Sequence, residues 1–208
     1  LGYENSESWR RLLLAHQTEL ATAMKIPPSN FRWCAAFHDE KHHPHIHMMV
    51  WSADPKKGFL TRDGIHAMRS VLTNTIFQDE MHELYEKKDL AYRELVTQAR
   101  TAMAEHIGRM ESADTADPVL AGKLVELSCA LNSVTGKKQY GYLPKHVKAL
   151  VDEVVNELAR QPDVAACYET WNGLRDELER YYKDTPREHK PLSQQQEFKA
   201  IKNMVIHE

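Results

Sequence analysis

FRWCAAFHDEKHHPHIHMMVWS, residues 31–52, carries a period-two pattern on each side of a polar centre. Phe31, Trp33, Ala35 and Phe37 fall on one face of an extended chain, and Arg32, Cys34, Ala36 and His38 on the other. The same alternation returns after Pro44, where His45, His47, Met49 and Trp51 interleave with Ile46, Met48 and Val50. Two half-buried strands joined by the connection Asp39 to Pro44 should pair antiparallel as a hairpin. Histidines then gather at its open end. His45 and His47 project from one side of the second strand, and pairing brings His38 close to both.

Helix signals flank this hairpin. Upstream, Trp9, Leu12, Leu13, His16, Leu20 and Met24 stand at helical spacing from about Glu4 to Lys25, with Asn5 or Ser6 as N-cap and Pro27-Pro28 as the stop. Downstream, Asp54-Pro55 and Gly58 mark a loop, and Thr61 caps a helical stretch from Arg62 to about Met110, read as one long helix or two in succession. Asp117-Pro118 places Asp at an N-cap and Pro at the first helical position. Leu143-Pro144 and Gln161-Pro162-Asp163 mark two further starts, and Ser193 with Gln196 reads as a capping box for the last helix. The expected fold is α+β: a helix, a β-hairpin, then five or six helices, divided into 1–60 and a helical region 61–208.

Composition narrows the function. With 42 % hydrophobic and 27 % charged residues among 208, the chain is globular, and its apolar runs fall far short of the roughly 20 residues that cross a bilayer. A cytoplasmic location is expected. Cys34, Cys129 and Cys167 show no CxxC spacing, so neither a disulfide framework nor a thiolate zinc site is suggested. The net charge of −3, from 27 Lys+Arg against 30 Asp+Glu, provides no global attraction to nucleic acid, so any such contact must be local. The chain begins at Leu1 and not at a methionine, which leads us to expect a piece of a longer protein.

Three converging imidazoles are a metal-binding pattern. Neutral imidazole suits Zn, Mn, Fe or Ni better than Mg or Ca, and three ligands leave positions open for water or a substrate oxygen. Asp39 and Glu40 lie beside the three as candidates for orienting an imidazole or for a further ligand, and His43 as a candidate orienting group. His42 sits in the middle of the connection and has no face constraint. The isolated His16, His66, His82, His106, His146, His189 and His207 read as surface or satisfied core residues.

The run HDEKHHPHIHMMVWS, from His38 to Ser52, resembles the three-histidine motif of the HUH endonuclease superfamily in its H-x-[DE]-x-x-x-P-H-x-H form. It is most similar to mobilisation relaxases of the MobP/MobL type. The flanking LGYENSESWRRLLLAHQTELATAMKIPPSNFRW, LTRDGIHAMRSVLTNTIFQDEMHELYEKK, GKKQYGYLPKHVKALVDEVVNELA and FKAIKNMVIHE resemble the family too, so the likeness covers essentially the whole chain. It implies that the hairpin belongs to the central antiparallel sheet of a relaxase domain whose C-terminal part is 1–60. It also implies that His38, His45 and His47 hold a divalent ion, Mn, Mg or Zn, with three histidines favouring Mn or Zn.

The implied activity is transesterification of single-stranded DNA at a plasmid transfer origin, in which a tyrosine forms a 5′-phosphotyrosyl link and frees a 3′-hydroxyl. Other relaxosome or coupling proteins are the further partners it suggests. In such relaxases the nucleophilic tyrosine lies in a motif well before the triad, and no tyrosine here matches it. The nucleophile is therefore expected outside this chain, and the chain alone is expected to bind metal without nicking DNA. Sheet edge and apolar surface left uncovered by absent strands would make the first 60 residues the least stable part and solubility marginal.

Local DNA-facing signals are few. Trp51 shares the face of His45 and His47, and Lys137, Lys138, Lys145, His146 and Lys148 surround Tyr140 and Tyr142. Lysines neutralise phosphates and aromatic rings stack on bases, so Trp51, Lys137, Lys138, Tyr140 and Lys145 are the candidate contacts. Two alternatives stand beside the relaxase reading. One is a non-catalytic, metal-stabilised DNA-binding or interaction module. The other is a histidine-triad nucleotide hydrolase, since HPHIHMM satisfies H-x-H-x-H-x-x, although Pro44 is an unusual spacer and His38 would go unexplained.

Overall fold

A computed structural model describes residues 2–40, 44–112, 117–183 and 185–208. The fold is mostly helical with a single two-stranded antiparallel hairpin among the described residues, an α+β chain as expected. It divides into two compact units, residues 1–83 with 178–185, and residues 84–177 with 186–208.

The first unit is built around the hairpin. Helix α1 (Ser6–Ala15) starts where Asn5 Oδ1 accepts the Ser8 backbone N–H at 3.0 Å. The upstream segment expected as one helix is two, because the chain leaves helical geometry at His16, whose Nε2 lies 2.9 Å from Thr75 Oγ1, and resumes as α2 (Gln17–Ala23). Helix α2 closes with Lys25 at φ +57°. The Ile26 N–H donates to Ala21 O and the Lys25 N–H to Thr22 O, the paired bonds of a Schellman cap, here with lysine where glycine is usual. That turn buries Ile26 and aims the chain into strand β1 (Phe31–His38), which pairs with β2 (His45–Ser52).

The register runs from Phe31 opposite Ser52 to His38 opposite His45. One hairpin face joins a core of Leu13, Leu20, Ala21, Ile26 and Phe31, against which Trp33, Ile46, Met48, Val50, Met68 and Leu72 pack. Helix α3 (Arg62–Ile76) is capped by Thr61, whose Oγ1 accepts the Gly64 N–H at 3.0 Å. Gly64 lets α3 approach the end of α2, since a Cβ there would sit 2.4 Å from Ala23 O.

The stretch expected from Arg62 to Met110 resolves into α3 and the 34-residue α4 (Gln78–Glu111), separated at Phe77. Helices α5 (Pro118–Asn132), α6 (Lys145–Leu158), α7 (Pro162–Arg180) and α8 (Lys199–His207) follow, so six helices come after the hairpin among the described residues. Asp117 caps α5 through the Val119 and Leu120 N–H groups.

In the second unit α6 contributes Val147, Val151, Val154, Val155 and Leu158, a helical stripe, to a core completed by Leu95, Met103, Leu120, Trp171 and Ile201. Phe198 lies inside it with the Tyr92 and Trp171 ring centroids 5.2 and 4.8 Å away. The capping box expected at Ser193 does not form. Ser193 is buried in a short 3-10 turn, its N–H donating to Asn156 Oδ1, and α8 begins only at Lys199. A tertiary hydrogen bond has displaced the local one.

Candidate metal centre

The hairpin register assembles the histidine cluster. His38 and His45 are direct cross-strand partners, and His47 shares their face because it stands two residues along β2. The His38 and His45 rings stack with centroids 5.3 Å apart and 14° between planes. His47 meets both edge-on, at 4.8 Å from His38 and 5.1 Å from His45. His38 and His47 are exposed and His45 half-buried, so the cluster opens toward solvent while the opposite face of the same strands packs on α1, α2 and α3.

Glu40 lies with two of the three histidines, and His47 stands outside that set. The ligand atoms of His38, Glu40 and His45 all lie within 4.8 Å of one another. Of the two roles the sequence offers Glu40, orienting an imidazole or serving as a further ligand, its place among these ligand atoms favours the second. The available signal was spacing, because Glu40 is two residues beyond His38 and so returns to its side of the chain. Asp39 is exposed beside it and outside that group. His42 and His43 lie outside the described residues.

The donor set fits a divalent transition ion. Imidazole nitrogens suit Mn or Zn, and one carboxylate is a common companion. Three neutral imidazoles leave an ion its full charge, whereas ligation by Glu40 offsets one unit of it.

Further along the same face, Met49 stands opposite Cys34 and Trp51 opposite Arg32. Met49 is 67 % and Trp51 48 % exposed, so a large apolar strip continues from the histidines toward the far end of the hairpin. Lys137, Lys138, Tyr140 and Lys145 belong to the second unit. The three lysines are exposed. Tyr140 is half-buried: its hydroxyl donates to Asp152 Oδ2 at 2.8 Å, and Lys202 Nζ sits 4.0 Å from its ring centroid. Burial raises the Tyr140 phenol above its usual value, Lys202 pulls it down and Asp152 pushes it further up. A raised pKa is the opposite of what activates a nucleophile.

Other tyrosines are engaged in packing or hydrogen bonds. Tyr3 packs on Trp9, Tyr92 on Phe198 and Tyr181 on Phe77, and the Tyr182 hydroxyl donates to Asn74 Oδ1.

Strands that present three imidazoles on one open face, with a carboxylate just past the end of β1, define a candidate metal-binding protein of the α+β class. The family model of MobL relaxases matches residues 3–208, and the chain belongs to that family. Its role is that of a relaxase in mobilisation. No curated protein matches it, and neither does any solved structure. No helix among the described residues is long and apolar enough to cross a membrane.

Proposed function

We propose that His38, His45 and His47 hold a divalent metal ion, Mn or Zn by donor chemistry, at which a relaxase nicks and rejoins single-stranded DNA of a transfer origin. The observation that carries this reading is the convergence of the three rings within 5.3 Å of one another on the solvent face of a hairpin anchored from behind. Bound there, the ion supplies positive charge to a non-bridging phosphate oxygen of the scissile link. The histidines deliver no proton and serve to fix that charge in place. Register fixes two of them as a cross-strand pair and the third by strand periodicity, so the donors are positioned before a ligand arrives. Glu40 completes or orients the set.

The nucleophile is a tyrosine outside this chain. Its attack on phosphorus forms the 5′-phosphotyrosyl bond and releases the 3′-hydroxyl, and return of that hydroxyl reverses the step. Trp51 lies on the same face as the histidines, where its exposed ring can stack on a base of the bound strand. The region 1–60 is then the C-terminal part of the catalytic domain.

Fluorescence anisotropy of a labelled single-stranded oligonucleotide tests the reading. Mn²⁺ should tighten binding to the parent chain and leave the His45→Ala/His47→Ala variant unchanged, with no nicking by either. An equal Mn²⁺ effect on both would remove the histidines from the site.

A further inference from the structure

The helical unit carries an exposed aromatic ring beside a lysine, in a lysine-rich stretch, that neither its core nor the histidine cluster uses. From Leu127 to Val151 the sequence holds no Asp or Glu, yet includes Lys137, Lys138, Lys145, His146 and Lys148. In a chain of net charge −3 that stretch is a local excess of four lysines over no acid.

At its centre the short 3-10 turn Tyr140–Tyr142 sets two tyrosines two residues apart. With about three residues per turn, positions i and i+2 point roughly 240° apart, so one ring turns inward while the other turns out. Tyr140 is the inward ring, fixed by Asp152, Lys202 and a backbone N–H that donates to Asn203 Oδ1 at 3.0 Å. Tyr142 is 70 % exposed, with Lys137 Nζ 5.3 Å from its ring centroid. Lys138, Lys145 and His146 are exposed as well, and Lys148 donates to Gly141 O at 3.0 Å, tying the start of α6 to the same turn.

Folding does not account for this arrangement. Tyr142 buries little apolar area, and the consecutive Lys137 and Lys138 repel one another. We infer that Tyr142, with Lys137, Lys138 and Lys145, forms a contact for single-stranded nucleic acid on the helical unit. The ring stacks on a base, and the ammonium groups neutralise the flanking phosphates. A single strand fits better than a duplex, whose base faces are already stacked. It also fits better than an anionic lipid surface, for which the lysines alone would suffice. The contact does not require the histidine cluster.

The test is an anisotropy titration of a labelled oligothymidylate of about 20 nucleotides with the whole chain in EDTA, repeated across salt concentrations. Tyr142→Ala should weaken binding about tenfold, while Tyr142→Phe, which keeps the ring, should stay within about twofold of the parent. Lys137→Ala/Lys145→Ala should flatten the logarithmic salt dependence by roughly 1.4, about 0.7 for each phosphate no longer neutralised. Circular dichroism checks that each exposed-site variant keeps its helices. The same pattern in a His38→Ala/His45→Ala/His47→Ala background would uphold the contact even if the metal centre fails. Equal affinity of Tyr142→Ala and the parent overturns the inference. Binding that depends on the lysines but not on Tyr142, to oligonucleotide and phosphatidylserine vesicles alike, overturns it too, because charge alone then suffices.

Discussion

The two faces of the hairpin share the same strands and register and have opposite fates. Phe31, Trp33, Ile46, Met48 and Val50 turn toward α1, α2 and α3, while His38, His45, His47, Met49 and Trp51 remain accessible. Alternation means that every residue anchoring the hairpin has a neighbour that does not, so one short stretch encodes both scaffold and site. Stability should therefore be concentrated on one face and ligand chemistry on the other.

Truncation on each face is the strongest challenge to that division. Phe31 is only 7 % exposed, and Phe31→Ala should cost about 3–5 kcal/mol, whereas Trp51→Ala should stay within about 0.5 kcal/mol while weakening DNA binding. Urea denaturation of both variants measures the contrast, and equal destabilisation would mean that the open face is packed. A smaller effect is expected at the support behind the hairpin. Gly64→Ala forces a methyl against Ala23 O and should destabilise by about 1–3 kcal/mol, lowering the melting temperature by several degrees. An unchanged melting temperature would show that the approach of α3 to α2 is dispensable.

The histidines of the two units sharpen the comparison further. His106 is 1 % exposed in the helical unit, with no hydrogen-bond partner for Nε2 among the described residues. Burial lowers its pKa from 6.5, Arg109 lowers it further, and Asp117 opposes both. The unfolded chain binds the proton more readily, so stability present above pH 6.5 should fall as the pH drops through and below that value. Chemical denaturation from pH 7.5 to 5.5 reads this, and His106→Gln should flatten the slope. A slope unchanged in the variant would assign the pH dependence to other groups.

Local rules made much of this legible in the sequence. Strand alternation showed the hairpin and both its faces, and Asn5, Thr61 and Asp117 cap the helices they were expected to cap. Errors arose where distant residues intervene. Thr75 meets His16 at the break between α1 and α2, and Asn156 takes the Ser193 N–H that a local cap would have used. Tyr140 and Tyr142 look alike in composition, and only the phase of a single 3-10 turn separates the buried ring from the exposed one. Glu40 lies just past the end of β1, so its spacing from His38 suggested a shared side, but the turn of the chain decides how close it comes to His38 and His45.

Calorimetric titration with Mn²⁺ and Zn²⁺, on the parent chain and on His45→Ala/His47→Ala, tests the central claim most directly. The account predicts one ion bound per parent chain and none in the variant, with both keeping the same helical content. Equal binding by the two, or none by either, would contradict a metal centre on the open face of the hairpin.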